Sequence, residues 1–232
     1  MFYDNLDCQM SSGSLQLVPT ATRIDFNDTP LKSCYGEPNN YYALVIDDCF
    51  TASECADLIG LADSDWKAAA PNTNQEVTEI GPGSTWENIP GKMKTGQSKG
   101  RWRMTRLNER LRFLKYGEGQ KFTQHCDALY TTPDKSLKSL LTLHLYLNDS
   151  SEGSEDPADL TASPKEIKRG GATRFWNPER TEFVDVEPKR GRVLIFQQRM
   201  LWHSGEEVLE GVKMTMRSDL MFEWAQFEKG EH

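Results

Sequence analysis

His125 and Asp127, one residue apart in Gln124-His-Cys-Asp127, and His203, in Leu201-Trp-His-Ser-Gly205, offer two imidazoles and one carboxylate to a metal ion. On an extended segment the His-x-Asp spacing puts both side chains on one face, because side chains alternate across a strand. A distant second histidine completes a two-His, one-carboxylate set. Such a set suits Fe(II), since one face of the octahedron stays open for a cosubstrate and O₂. Neutral imidazoles and a single carboxylate also leave residual positive charge on the ion, which attracts an anionic 2-oxo acid. The chain has four histidines in all; of the other two, His232 is the last residue and His144 sits on an alternating stretch. Taken alone, a His-x-Asp is equally compatible with hydrogen-bonded core residues, so the segments around it have to decide.

Those segments read mainly as strands. Leu141, Leu143, Leu145 and Leu147 alternate with Thr142, His144 and Tyr146, a period of two that makes a strand with two differently used faces. The polar face of that strand needs partners if it points inward. Further strands are expected at Leu111–Tyr116, Thr173–Trp176, Glu182–Val186, Arg192–Gln197 and Val212–Phe222. Earlier, Tyr42–Asp48 is an apolar run ending in turn formers, and Thr51-Ala-Ser-Glu54 has the form of a capping box. Cys55, Leu58, Ile59, Ala62 and Trp66 then recur at one-face helical spacing. Gly170 and Gly171 mark a tight turn where a β-carbon would clash, and Gly119 and Gly191 read as turn positions.

The expected architecture is mainly β with supporting helices (α+β), an antiparallel double-sheet jelly roll in one domain over residues 1–232. Residues 1–40 form an irregular N-terminal arm, 41–104 a strand, a helix and a substrate loop, and 105–223 the jelly-roll core. The loop at 70–101 is rich in Gly, Pro, Asn and Thr and carries Trp86; loops of that length in compact domains are commonly functional. Residues 149–169 read as an acidic, Ser-rich surface insert.

Composition removes several function classes. The formal net charge is −8, and no dense basic run occurs beyond an Arg/Lys scatter from Lys92 to Lys115, so nucleic acid is not the expected partner. No stretch approaches the length of a membrane span. Met1-Phe-Tyr-Asp-Asn5 lacks the basic and apolar regions of a secretion signal. The five cysteines are odd in number and show no disulfide spacing. A cytoplasmic, reducing location is the expectation.

Four ordered segments carry a family resemblance. They are Tyr116-Gly-Glu-Gly-Gln-Lys-Phe-Thr-Gln-His-Cys-Asp127, Leu143-His-Leu-Tyr-Leu-Asn148, Gly170-Gly-Ala-Thr-Arg-Phe175, and Glu187-Pro-Lys-Arg-Gly-Arg-Val-Leu-Ile-Phe196 followed by His203 and Gly211-Val-Lys213. Together they span roughly residues 105 to 223 and resemble the prolyl 4-hydroxylase-like branch of the 2-oxoglutarate/Fe(II)-dependent dioxygenases. The resemblance implies a double-stranded β-helix of cupin-like form, with Fe(II), 2-oxoglutarate and O₂ as cofactors and cosubstrates, and ascorbate as a reductant. It assigns His125, Asp127 and His203 to the iron. It assigns Lys213, ten positions beyond His203, to the distal carboxylate of 2-oxoglutarate. Arg217, four residues further on the same strand face, offers a bidentate fork for the same task. Tyr146 supports that carboxylate, and Tyr116 lies near the iron. His144, Trp86 and Trp176 are candidates for contacts around the ligands or with substrate.

The reaction so implied is hydroxylation or related C–H oxidation, with desaturation and ring closure as variants, and with succinate and CO₂ as co-products. A small molecule or amino acid is the expected substrate, because the chain has no evident peptide-docking module. The alternative is a hydroxylase acting on prolyl or other residues of a protein. A further alternative, from a different class, is a non-catalytic jelly-roll binding protein that keeps a vestigial site.

Overall fold

The computed structural model describes residues 17–62, 100–149 and 167–226. Trp66, Trp86 and all but the last two residues of the 70–101 segment lie outside the described residues, as do Cys8 and most of the 149–169 insert. In chain order the strands are β1 (Thr20–Arg23), β2 (Ala43–Asp47), β3 (Gly100–Leu107), β4 (Arg112–Tyr116), β5 (Phe122–His125), β6 (Leu137–Tyr146) and β7 (Ile167–Gly170). There follow β8 (Thr173–Trp176), β9 (Phe183–Val186), β10 (Val193–Gln197), β11 (His203–Gly205), β12 (Val208–Gly211) and β13 (Lys213–Gln226). Helix α1 covers Lys32–Tyr35 and helix α2 covers Ala52–Ala62.

The strands form a seven-stranded sheet in the order β1-β2-β10-β6-β13-β3, with β4 also paired to β13, and a four-stranded sheet in the order β5-β11-β8-β9. Strands β7 and β12 make a separate ribbon. All described pairings are antiparallel. This is the expected antiparallel double-sheet jelly roll.

The alternation along β6 explains how the larger sheet uses both faces. Leu143, Leu145 and Leu147 pack outward with Val193, Met214 and Met216 and against Cys55, Leu58 and Ile59 of α2. Tyr146 points inward, into a core with Ala43, Leu194 and Phe196 of the same sheet and Phe175 and Val186 of the smaller one. Helix α2 begins where the capping box puts it: Thr51 N donates to Glu54 Oε2 (2.8 Å) and Glu54 N donates to Thr51 Oγ1 (3.2 Å).

Three boundaries differ from the sequence expectation. The described part of the arm is folded rather than irregular: β1 pairs with β2, and Phe26, Leu31 and Tyr35 are fully buried in the inter-sheet core. The apolar residues are too widely spaced there to announce a strand or helix, and tertiary burial supplies the order. Strand β3 starts at Gly100, inside the expected loop, because β13 runs on to Gln226 and gives it a pairing edge. The insert likewise ends in strand β7, held by β12. At the turn after β7, a β-carbon on Gly170 would meet Glu207 O at 2.2 Å, and φ is +77° there, so glycine is required.

Phe175 has no exposed surface and packs edge-on against Phe26 and Phe196, with centroids 6.0 and 5.5 Å away. Phe175→Ala is expected to cost about 3–5 kcal/mol of stability, read as a lower urea midpoint. An unchanged midpoint would place the core elsewhere.

Candidate metal centre

The two histidines become neighbours because β5 and β11 are adjacent in the smaller sheet. His203 stands directly opposite His125 in the antiparallel register, and the ring centroids are 4.3 Å apart. Side chains at such opposed positions share a face. Asp127, two residues beyond His125, returns to that face. The three ligand atoms lie within 4.8 Å of one another, and all three residues are buried. His125 Nε2 is 3.4 Å from Asp127 Oδ1, and His203 Nε2 is 3.7 Å from Asp127 Oδ2.

The outer nitrogens set the tautomers. His125 Nδ1 donates to Thr123 O (2.8 Å) and His203 Nδ1 donates to Leu201 O (2.9 Å). Carbonyl oxygens only accept, so both Nδ1 atoms carry hydrogen and both Nε2 lone pairs face the centre. Two lone pairs and a carboxylate converging at this spacing fit a divalent iron with an open face.

Electrostatics keep the set ready for a cation. Burial pushes His203 down to about 3, against the pull of Asp127, so its imidazole is neutral. Burial opposes ionisation of Asp127, yet the Arg217 guanidinium helps to hold the carboxyl well below the usual range. Arg217 Nη2 lies 2.6 Å from Asp127 Oδ1. Thr142 Oγ1 donates to Asp127 Oδ2 at 2.6 Å. The carboxylate is therefore gripped from the larger sheet while its main chain belongs to the smaller one.

One cavity includes His125, His203, His144, Tyr116, Lys213 and Arg217 in its lining. Lys213 is 3 % exposed. Its Nζ donates to Gly171 O (2.6 Å) and sits 5.7 and 5.6 Å from the ring centres of Tyr116 and Tyr146. Burial pushes its pKa down to about 8, although Glu187 and Glu206 act to raise it. Within the cavity lining His144 Nε2 and Arg217 Nε are buried without a hydrogen-bond partner among the described residues. Burial first, then Lys213 and Arg217, push His144 well below its ordinary value. A buried cation and two unanswered polar nitrogens fit an anionic ligand bearing several oxygens.

Two candidates stand slightly apart from this lining. The Tyr146 hydroxyl donates to Thr173 Oγ1 (2.7 Å), and Thr173, not Tyr146, lines the cavity. Trp176 Nε1 donates to Ser204 Oγ (2.7 Å), so Trp176 reaches the cavity only through that serine. Trp86 lies outside the described residues. Thr142 and Thr173 were not singled out by the sequence as site residues; the inward face of β6 pointed to the first, and the Gly-Gly-x-Thr segment contained the second.

Residues 111–218 match the model of the 2OG-Fe(II) oxygenase superfamily. The match covers just under half of the chain. The match runs from the residue before β4 to the middle of β13 and contains the whole His125, Asp127, His203 cluster with Lys213 and Arg217. The family's enzymes are dioxygenases that use Fe(II), 2-oxoglutarate and O₂. No curated protein matches the chain. Among solved structures, a viral collagen prolyl hydroxylase from Paramecium bursaria Chlorella virus 1 is 19% identical over 81% of this chain and 99% of that one, with a TM-score of 0.44. A Trichoplax adhaerens prolyl hydroxylase, solved with a hypoxia-inducible-factor peptide, is 15% identical over 78% of this chain and 84% of that one, with a TM-score of 0.46. A Pseudomonas putida prolyl 4-hydroxylase is 22% identical over 47% of this chain, with a TM-score of 0.32. The chain spans about half, 49%, of that bacterial protein's length.

The depressed Lys213 makes the domain's stability depend on pH in a defined window. Between about 8 and the ordinary lysine value, the unfolded chain holds a proton that the folded one has shed, so stability rises with pH there. Below that window the full cost of burying the charge applies, on the order of 3 kcal/mol. Lys213→Met in the metal-free protein is expected to raise the pH 7 melting temperature, and its advantage should shrink as pH climbs from 8 to 10.5. Parallel pH curves for the two proteins would contradict this.

Proposed function

We propose that the protein is an Fe(II)- and 2-oxoglutarate-dependent dioxygenase that oxidises a C–H bond of a small molecule or amino acid and releases succinate and CO₂. In this reading His125, Asp127 and His203 hold the iron, and Lys213 receives the distal carboxylate of 2-oxoglutarate. The observation that carries it is the sharing of one cavity by the His-Asp-His cluster and a buried lysine. When bound, iron and 2-oxoglutarate supply the O₂-dependent oxidising chemistry.

The chain's own residues do the rest. Thr123 O and Leu201 O aim the imidazoles, and Thr142 aims the carboxylate. Lys213 is preferred to Arg217 for the distal carboxylate on its spacing of ten residues from His203 and on the burial of its ammonium between the Tyr116 and Tyr146 rings. Tyr116 and Tyr146 flank the Lys213 ammonium and exclude water from it, which strengthens its attraction for an anion. Tyr146 is assigned a supporting part through Thr173. Phe196 and Phe122 pack on His203 and His125, with centroids 4.6 and 4.4 Å away, and keep that end of the cavity apolar. The resemblance to the prolyl 4-hydroxylase-like branch keeps a peptidyl residue as the second reading.

Anaerobic titration with Fe(II) and 2-oxoglutarate is expected to produce the weak visible charge-transfer band of the chelate. The band should be absent in folded His125→Ala. Lys213→Ala should weaken 2-oxoglutarate at least ~30-fold, equivalent to about 2 kcal/mol for truncating a buried charge partner. A folded wild type without the band would overturn the oxygenase reading. Succinate release driven by peptides, with a +16 Da shift on the peptide and no response to small metabolites, would replace the small-molecule substrate with the peptidyl one.

A further inference from the structure

The inward face of β13 carries Lys213, Thr215, Arg217 and Asp219 at every second position, and the registers of its neighbours sort them into layers. Lys213 is opposite Tyr116, and Thr215 lies between Leu114 and Tyr146. Arg217 lies between Arg112 on β4 and His144 on β6, and Asp219 is opposite Thr142. Four residues of strand separate Lys213 from Arg217, about 13 Å along the backbone. The layer of Arg112, Arg217 and His144 is thus a second polar level of the site, distinct from the lysine at its floor.

Two guanidiniums share this level with two carboxylates, and both carboxylates also have other partners. Arg217 relies on Asp127, at 2.6 Å. Among the described residues the carboxylate contact of Arg112 is a 4.0 Å one with Asp219, whose oxygens already accept from Gln198 (2.8 Å) and Asn108 (3.3 Å). Any cation held by Asp127 draws charge from the one carboxylate that balances Arg217. Arg217 Nε and His144 Nε2, in the same layer, are buried with no partner among the described residues. Arg217 lines the cavity with its side chain 18 % exposed, whereas that of Arg112 is 41 % exposed. The two guanidiniums therefore run from the cavity wall out to solvent. Burial, and then Arg217, push the Arg112 pKa down, the mark of crowded cations.

We infer that the Arg112, Arg217, His144 layer is a seat for an oxyanion on the primary substrate, so that the molecule oxidised carries a carboxylate or a phosphate. The inference rests on the iron and 2-oxoglutarate reading above and narrows its substrate class. Arg112 is the selecting residue: it meets the anion at the rim, and Arg217 completes a two-guanidinium clamp inside. Guanidiniums suit this task because their donors match the paired oxygens of a carboxylate or phosphate.

The test titrates the anaerobic Fe(II)–2-oxoglutarate complex at constant ionic strength with acetate, with inorganic phosphate, and with acetamide as the neutral match to acetate. The readout is the position and intensity of the chelate band. At least one anion is expected to perturb the band at millimolar concentration, with acetamide at least ~10-fold weaker. The tighter of the two anions identifies the substrate's group. Arg112→Gln should weaken that response at least ~10-fold, about 1.4 kcal/mol, and Arg112→Lys should restore part of it. Equal responses to acetate and acetamide, or none to either anion, would overturn the inference. So would an anion response that Arg112→Gln leaves unchanged, since the anion would then sit on the metal. The Arg112 side chain is 41 % exposed, so Arg112→Lys keeps the charge at the rim and carries the test where Arg112→Gln folds poorly: an anion response identical to wild type would overturn the inference. A complex that never forms the band counts against the oxygenase reading itself and removes this inference with it.

Discussion

Asp127 joins two sheets. Its main chain follows β5 of the smaller sheet, beside the His125 and His203 pair, yet its carboxylate is held by Thr142 and Arg217 of the larger sheet. The distance between the sheets is therefore also the distance that shapes the metal set. That spacing is maintained by the rings stacked between them, Phe175 against Phe196 and Phe26, with Tyr146 and Leu194 beside them. Close-packed interiors resist compression and expansion alike, so an apolar core far from any chemistry sets the reach of the carboxylate. The arm contributes to the same end: Tyr35 donates from its hydroxyl to Trp176 O (2.5 Å) and accepts from Trp202 N (3.3 Å), bracing β8 and the segment leading into β11.

The cost of this arrangement falls on the inner face of β13. A lysine, a threonine, an arginine and an aspartate in sequence on an inward face are individually unfavourable. Asp219 is compensated locally: Gln198 Nε2 donates to it, and Ser139 Oγ donates in turn to Gln198 Oε1 (2.7 Å). Thr215 Oγ1 and Arg217 Nε have no such compensation. The opposite face of the same strand supplies Met214 and Met216 to the apolar layer under α2. One strand thus stabilises the domain on one side and carries destabilising polar groups on the other. Polar groups left unanswered inside a cavity mark where a ligand is expected to supply the missing partners.

Much of this was legible before the structure. The alternation in Leu141–Leu147 named both faces of β6 correctly, because a period of two survives whatever packs on either side. The capping box at Thr51–Glu54 is likewise local chemistry and forms as its residues dictate. Less legible were β5 and β11, three or four residues each, whose pairing depends on each other rather than on composition. The order in residues 17–40 was also hidden, since Phe26, Leu31 and Tyr35 gain their meaning only from the core they enter.

Residue types and spacing put His125, Asp127 and His203 forward as candidate donors, and the family resemblance put forward Lys213 and Arg217 as candidate cations, because ligand chemistry is a property of side chains. They could not divide labour between the two cations. Lys213 and Arg217 share a face in either case, and sequence has no register between strands. Only the pairing of β13 with β4 and β6 sets Lys213 beside Tyr116 and Arg217 between Arg112 and His144. Residues distant along the chain act on each other through that register, and register is decided by which faces the whole fold buries.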